Sequence, residues 1–143
     1  MDDGCSILEY WKELLENNLV ATSLIHKGVF CNKEDGKLRS YHPETWTPTV
    51  AQNKKLRTLF SREVNSEGKT IKYSDKNIKI TKRTLDNILI GEFVDKVGAD
   101  EEFKFVAITT EQMIFTALVE PKNFDDSVKT LKDFTDQLVA QQF

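Results

Sequence analysis

Histidine, cysteine and paired carboxylates are the side chains that most often do acid–base, nucleophilic or metal chemistry, and in this chain they are few and dispersed. His26 falls in a strand-like stretch and His42 in a loop, and neither has a partner at metal-ligand spacing, so both read as structural or surface histidines. Cys5 lies in the terminal stretch. Cys31 lies among apolar residues, where a reduced thiol behaves as a small hydrophobe. Both are read as free thiols, with a disulfide between them as the less favoured pairing. Asp125 and Asp126 suit the start of a helix, whose partial positive charge favours acids. Glu101 and Glu102 suit a hairpin turn. There is no Gly-rich phosphate loop, no G-x-S-x-G elbow and no H-E-x-x-H. The reading is therefore a binding domain, not an enzyme, with no catalytic residue, no cofactor and no metal.

Recognition chemistry is better supplied. Tyr10 and Trp11 are adjacent, so on a helix they cannot both face one core, and one of them should reach solvent or a groove. Phe143 is a large aromatic at the last position. An aromatic groove of this kind can dock a proline-rich segment, because polyproline II loses little entropy on ordering. The second feature is charge. The chain carries a net charge of −3, yet residues 53–83 hold ten Lys/Arg (Lys54, Lys55, Arg57, Arg62, Lys69, Lys72, Lys76, Lys79, Lys82 and Arg83) against three acids. Residues 84–143 reverse the balance, with five cations against twelve acids. A basic middle in an acidic protein suggests one face for an anionic partner, and ordinary solvated faces are the plainer alternative. Nucleic acid is not the expected partner, because Tyr73 is the only aromatic among the strand-like basic residues.

The elements that must position these residues follow from periodicity. Ser6 and Glu9 form a capping box for a first helix with Ile7, Tyr10, Trp11, Leu14 and Leu15 on its apolar stripe. Residues 19–26 read as a strand, Lys27-Gly28 as a tight turn, and Val29 to Cys31 as the start of a partner strand. Residues 32–47 read as a loop in which Leu38 and Tyr41 mark a short strand. Thr47 and Pro48 open a second helix with Val50, Leu56, Leu59 and Phe60 toward the core. Residues 69–74, 77–83, 85–94, 102–110 and 112–119 alternate or run apolar, predicting strands joined by short antiparallel turns. A last helix is capped by Asp125 or Asp126 and buries Val128, Leu131, Phe134, Thr135 and Leu138.

With 39% hydrophobic and 30% charged residues, the composition is that of an ordinary soluble domain. A chain this long buries roughly 68–70% of its unfolded surface, so it needs no metal or disulfide to fold. No apolar run approaches the ~18 residues of a membrane span. The acidic start lacks a signal-peptide pattern, so the protein is expected to stay in the cytoplasm. One domain over 1–143 is expected, with residues 1–5 as a flexible extension.

Three stretches resemble the profilin family. The first is YWKELL at 10–15 followed by ATSLI at 21–25. The second is Thr47-Pro48 opening a helix that ends at Leu59-Phe60. The third is FVAITTEQMIFTAL at 105–118 with the terminal LVAQQF. The resemblance implies an α+β fold: a central antiparallel sheet with N- and C-terminal helices on one face and a middle helix on the other. It implies an actin-monomer binder, a cytoskeleton-associated monomer with proline-rich peptides and phosphoinositide headgroups as further ligands. Carried over by position, the actin face comprises Phe60, Arg62, Lys72, Lys82, Lys122, Phe124, Lys129 and Asp133. The polyproline groove comprises Tyr10, Trp11, Leu14, Phe30, Gln137 and Phe143. Leu14 stands where the family has a tyrosine and Gln137 where it commonly has a histidine, which weakens or alters that groove. The scarce glycine and the long 32–47 loop point to a divergent member of protist or archaeal type. The alternatives are a longin- or roadblock-type adaptor serving small GTPases or trafficking complexes, whose mark would be self-association, and a small enzyme of unrecognised site.

Overall fold

The computed structural model describes Glu13 and residues 25–42, 46–61, 63–84, 87–94, 103–122 and 124–140. Glu13 is helical and exposed. The remainder of the expected first helix, the strand read from 19 to 24, Cys5 and the turn at Glu101-Glu102 lie outside the described residues. The elements in chain order are β1 (Lys27–Asn32), β2 (Leu38–His42), α1 (Val50–Thr58), β3 (Thr70–Tyr73), β4 (Lys76–Thr84), β5 (Ile88–Phe93), β6 (Lys104–Thr109), β7 (Met113–Val119) and α2 (Phe124–Ala140). The strands form one sheet in the order β2-β1-β7-β6-β5-β4-β3. Every neighbouring pair is antiparallel.

The five later strands fall where alternation places them. The first turn does not. Lys27 and Gly28 lie inside β1, where Gly28 pairs with His42 on one side and Ala117 on the other. Backbone pairing to two neighbours outweighs the local turn preference of a Lys-Gly step. The 32–47 loop resolves into a hairpin. Gly36 takes a φ of 75°, its N–H donates to the Asn32 carbonyl at 2.9 Å, and Asn32 N–H donates to Lys37 O at 2.8 Å.

Successive strand residues point to opposite faces, so the sheet carries two cores. On one face Val29, Cys31, Leu89, Phe105, Ile114 and Leu118 join Ile71, Tyr73, Ile78 and Ile80 beneath Trp46, Leu56, Leu59 and Phe60. On the other, Phe30, Ile88, Val106, Ile108, Met113, Phe115, Ala117 and Val119 lie beneath Phe124 and Leu131, with Val128 and Phe134 partly buried beside them. Helices α1 and α2 thus sit on opposite faces. Each fully buried Leu, Ile or Phe is worth about 1.5–3 kcal/mol relative to exposure, so both layers matter to stability.

Helix α1 starts two residues later than Thr47-Pro48 suggests. Thr49 is its cap: Gln52 N–H donates to Thr49 Oγ1 at 3.0 Å, and Thr49 N–H donates to Gln52 Oε1 at 3.0 Å. The glutamine at the third helical position completes the box, which Thr47 cannot do. Val50 consequently turns outward and is exposed. Gln52 also holds the β3–β4 turn. It accepts from Ser74 N–H at 2.8 Å and donates through Nε2 to Ser74 O at 3.1 Å. Ser74 has a φ of 55°, which is uncommon for a residue with a Cβ, and this double clamp holds it there. At α2, Asp125 and Asp126 occupy the first turn instead of the cap.

Candidate interaction surface

The basic segment is divided by the fold. Part of it builds the α1 side of the molecule. Arg57 Nη1 donates to Lys33 O at 3.0 Å and Glu34 O at 2.8 Å, tying α1 to the β1–β2 turn. Arg83 Nη1 donates to Ser61 O at 2.8 Å, and its Nη2 donates to Phe60 O. The carbonyls that Arg83 meets follow the end of α1, where a cation also offsets the helix dipole. Arg57 and Arg83 are therefore occupied by the fold. Lys54 and Lys55 are exposed on α1.

Lys72, Lys79 and Lys82 come together on the opposite face. Ile71, Tyr73, Ile78 and Ile80 point toward α1, which sends Lys72 and Lys79 the other way. Strict alternation would return Lys82 to the α1 side. A bulge prevents this: Ile80 pairs with Gly91 and Lys82 with Ile90, leaving Thr81 as the extra residue. Thr81 Oγ1 donates to Ile90 O at 3.2 Å across the bulge. Lys82 therefore joins Lys79, and Arg83 turns inward to the carbonyls that follow α1. Gly91 permits the close strand approach, because a Cβ there would meet Ile78 Cγ2 at 2.8 Å and Lys79 O at 2.9 Å.

This face is open because the α2 core draws on β1, β5, β6 and β7 and on no residue of β3 or β4. Thr70, Lys72, Asn77, Lys79, Lys82 and Glu92 on it are all exposed. The register sets a row across it: Thr70 opposite Lys79, Lys79 opposite Glu92, Glu92 opposite Lys104. Such cross-strand neighbours have Cβ atoms about 4.5–5.5 Å apart. Lys104 Nζ lies over the Phe124 ring, 4.8 Å from its centroid. Val94 follows β5, donates its N–H to Asn77 O at 3.0 Å and is 49% exposed. Three lysines, a fourth cation on an aromatic ring, one carboxylate and an exposed aliphatic make a surface suited to recognition.

Lys72 and Lys82 stand on the open face. Lys122 is exposed just before α2, and Lys129 and Asp133 are exposed on it. Phe60 and Phe124 are each 8% exposed. They belong to the cores of opposite faces, so they support surfaces without presenting their rings. Arg62 lies outside the described residues. Of the groove residues, Tyr10, Trp11, Leu14 and Phe143 also lie outside them, and Gln137 is exposed on α2. Phe30 is fully buried and stacks on Phe115 with ring centroids 4.7 Å apart, which makes it the floor of the α2 core instead of a stacking surface. Residue type places Lys79 in the basic segment and does not mark Glu92, Val94 or Lys104. Lys79 was readable from its place between Ile78 and Ile80, and the other three needed the strand register.

Elsewhere the chemistry is structural. Burial pushes the Cys31 thiol up to about 12, and burial likewise raises Tyr73 well above its usual range. Tyr73 OH donates to Asn53 Oδ1 at 2.8 Å and meets Thr116 Oγ1 at 3.0 Å, while Asn53 Nδ2 donates to Gly36 O at 2.8 Å. An open depression between the β1–β2 and β6–β7 turns is lined by Asn32, Glu34, Asp35, Arg39, Glu111 and Gln112. Among the described residues no group of three or more His, Cys, Asp or Glu could hold a metal ion, and no helix is long and apolar enough to cross a membrane.

No protein-family model and no curated protein matches this chain. Solved structures do. Rat profilin 2a superposes with a TM-score of 0.77 at 10% identity, over 95% of this chain and 99% of the other. Acanthamoeba castellanii profilin IA gives 0.75 at 16% identity, over 93% and 99%. LokiProfilin2, solved in complex with rabbit actin, gives 0.64 at 12% identity, over 89% and 93%. The chain has the profilin fold, at the low identity of a divergent sequence.

Proposed function

We propose that this profilin-fold chain binds actin monomers and regulates filament assembly. The observation that carries the reading is the open lysine face of β3–β5, which holds Lys72 and Lys82, two of the residues expected at the actin contact. LokiProfilin2 shares the fold and is solved as a complex with actin. Cations spaced about one strand apart suit an acidic protein surface and speed its encounter.

The mode of action is stoichiometric. The bound chain occludes one end of the monomer, loosens its nucleotide cleft and leaves addition possible at one filament end only. The protein acts as a cytoplasmic, cytoskeleton-associated monomer without catalysis. Phosphoinositide headgroups compete for the same lysines only weakly, because the Glu92 carboxylate stands among them. Proline-rich segments bind through Tyr10, Trp11 and Phe143, and weakly, because Leu14 and Gln137 lack the stacking and hydrogen-bonding groups of the family pattern.

The test is actin polymerisation followed by sedimentation or fluorescence, with and without an equal concentration of this protein. Slowed spontaneous assembly, relieved by Lys72→Glu or Lys82→Glu, is expected. Unchanged assembly with every actin tried, including one from the source organism, overturns the reading.

A further inference from the structure

We infer that Glu92 is the residue that makes the lysine face selective, keeping it from binding polyanions in general and favouring a protein partner that sets a cation among its acids. The inference rests on the proposed actin contact for the partner's identity and on the structure for the role of Glu92.

Glu92 is central to the face. It stands directly opposite Lys79 on β4 and Lys104 on β6, with Lys72 and Lys82 on the same open side. It is exposed. Its carboxylate makes no hydrogen bond or ion pair with any described residue, and neither do the ammonium groups of Lys72, Lys79 and Lys82. Lys104, the neighbour best placed to neutralise it, lies over the Phe124 ring instead. The face therefore offers separate charges of both signs.

A flexible polyanion cannot place a cation opposite one carboxylate, so every approach to the lysines brings like charges together. At a few ångströms that repulsion is large enough to change affinity severalfold, and salt weakens it only in part. A folded partner can meet the pattern with an acidic patch that holds one basic residue. Discrimination then comes from a built-in repulsion as well as from attraction. The aliphatic surface beside Glu92 agrees with a protein partner. Val94 is 49% exposed, and Ile90 is partly so. Apolar contact area beside the charges is typical of protein interfaces, and a polyanion has little use for it.

The experiment compares the full chain with its Glu92→Gln variant, which keeps the shape of an exposed strand residue. Two probes are used at one physiological salt concentration: a heparin oligosaccharide and monomeric actin. The variant is expected to bind heparin roughly three- to tenfold more tightly and actin severalfold more weakly. Heparin affinity unchanged in the variant, with a matched unfolding curve, overturns the role of Glu92 whatever actin does. An unchanged actin affinity overturns the pairing of Glu92 with a partner cation. A wild-type chain that ignores actin refutes the actin reading alone, because the heparin arm still reports on the carboxylate.

Discussion

The two sides of the β3–β5 half of the sheet draw on the same basic stretch and end in opposite states. Toward α1, Arg57 and Arg83 spend their donors on backbone carbonyls, and Asn53, Tyr73 and Thr116 satisfy one another in the core. Away from α1, Lys72, Lys79 and Lys82 keep their charges in solvent with no ion-pair partner among the described residues. A planar guanidinium carries several donors in fixed geometry and can bridge carbonyls, whereas an ammonium on a flexible stem is best left hydrated. The difference shows that a run of positive charge in a sequence is two materials. One part staples the fold, and the other is free for a partner.

Gly91 is where this division is most easily broken. It sits opposite the bulge that sends Lys82 out and Arg83 in. A methyl group there would press on Ile78 Cγ2 at 2.8 Å and on the Lys79 carbonyl at 2.9 Å. Gly91→Ala is expected to cost about 1–3 kcal/mol in denaturant unfolding, as overpacking does, and to weaken partner binding through the displaced lysines. A variant as stable as the parent would show that the strands can spread at no cost and that the bulge is not fixed from this side.

The closed side also predicts a pH dependence that the open side does not share. The Cys31 thiol, which ordinarily ionises near 9.0, is pushed up to about 12 by burial. The unfolded thiol therefore ionises before the folded one, and its contribution is fully present below pH 9.0. Above that it falls by up to about 1.4 kcal/mol per pH unit, until the folded thiol ionises as well. The buried Tyr73 phenol acts in the same direction at still higher pH. Unfolding followed between pH 8 and 10.5 should show this decline, and Cys31→Ala should flatten its first part. An equally steep decline in the variant would assign it to other groups.

A comparable loss of stability, with no effect on the open face, is expected from Tyr73→Phe. The ring still packs against Trp46 and Phe105, whose centroids lie 5.6 and 5.5 Å away. What disappears is the hydroxyl that serves Asn53 and Thr116, both buried. Two polar groups left short of a partner cost about 1–3 kcal/mol, toward the lower end if Asn53 keeps its bond to Gly36. Actin binding should not change, since the network faces away from the lysines. A loss of binding at full stability would mean that the two faces are coupled through β3.

Most of the fold could be read from the chain because its signals are local. Alternation located the five later strands, and a stripe containing Leu131 and Thr135 located α2. Two errors share one cause. Lys27-Gly28 resembles a turn, and Thr47-Pro48 resembles a helix start. Each lost to a partner that is invisible along the sequence: Ala117 across the sheet for Gly28, and the side chain of Gln52 for Thr49. The surface was harder to read for the same reason. Lys72 and Lys82 were chosen by resemblance. Joining them to Lys79, Glu92 and Lys104 required the register, and the position of Lys82 depends on one extra residue at Thr81.

The finest test of the comparison removes equal charge from the two sides. Lys54 and Lys55 are exposed on α1, and Lys79 and Lys82 are exposed on the open face, so neither pair is buried. Lys54→Gln with Lys55→Gln and Lys79→Gln with Lys82→Gln each lower the net charge by the same amount. Both doubles should unfold within about 0.5 kcal/mol of the parent, as exposed substitutions do, with a few tenths lost at Lys55 for its place in the last turn of α1. The net-charge contribution to encounter with an acidic partner becomes more repulsive by the same amount in the two variants. Any difference in their effect on actin assembly must then come from contact. The α1 double should slow spontaneous polymerisation nearly as well as the parent, and the open-face double should have lost most of that ability. Equal losses in both would mean that net charge alone governs binding and that the arrangement of the face does not matter.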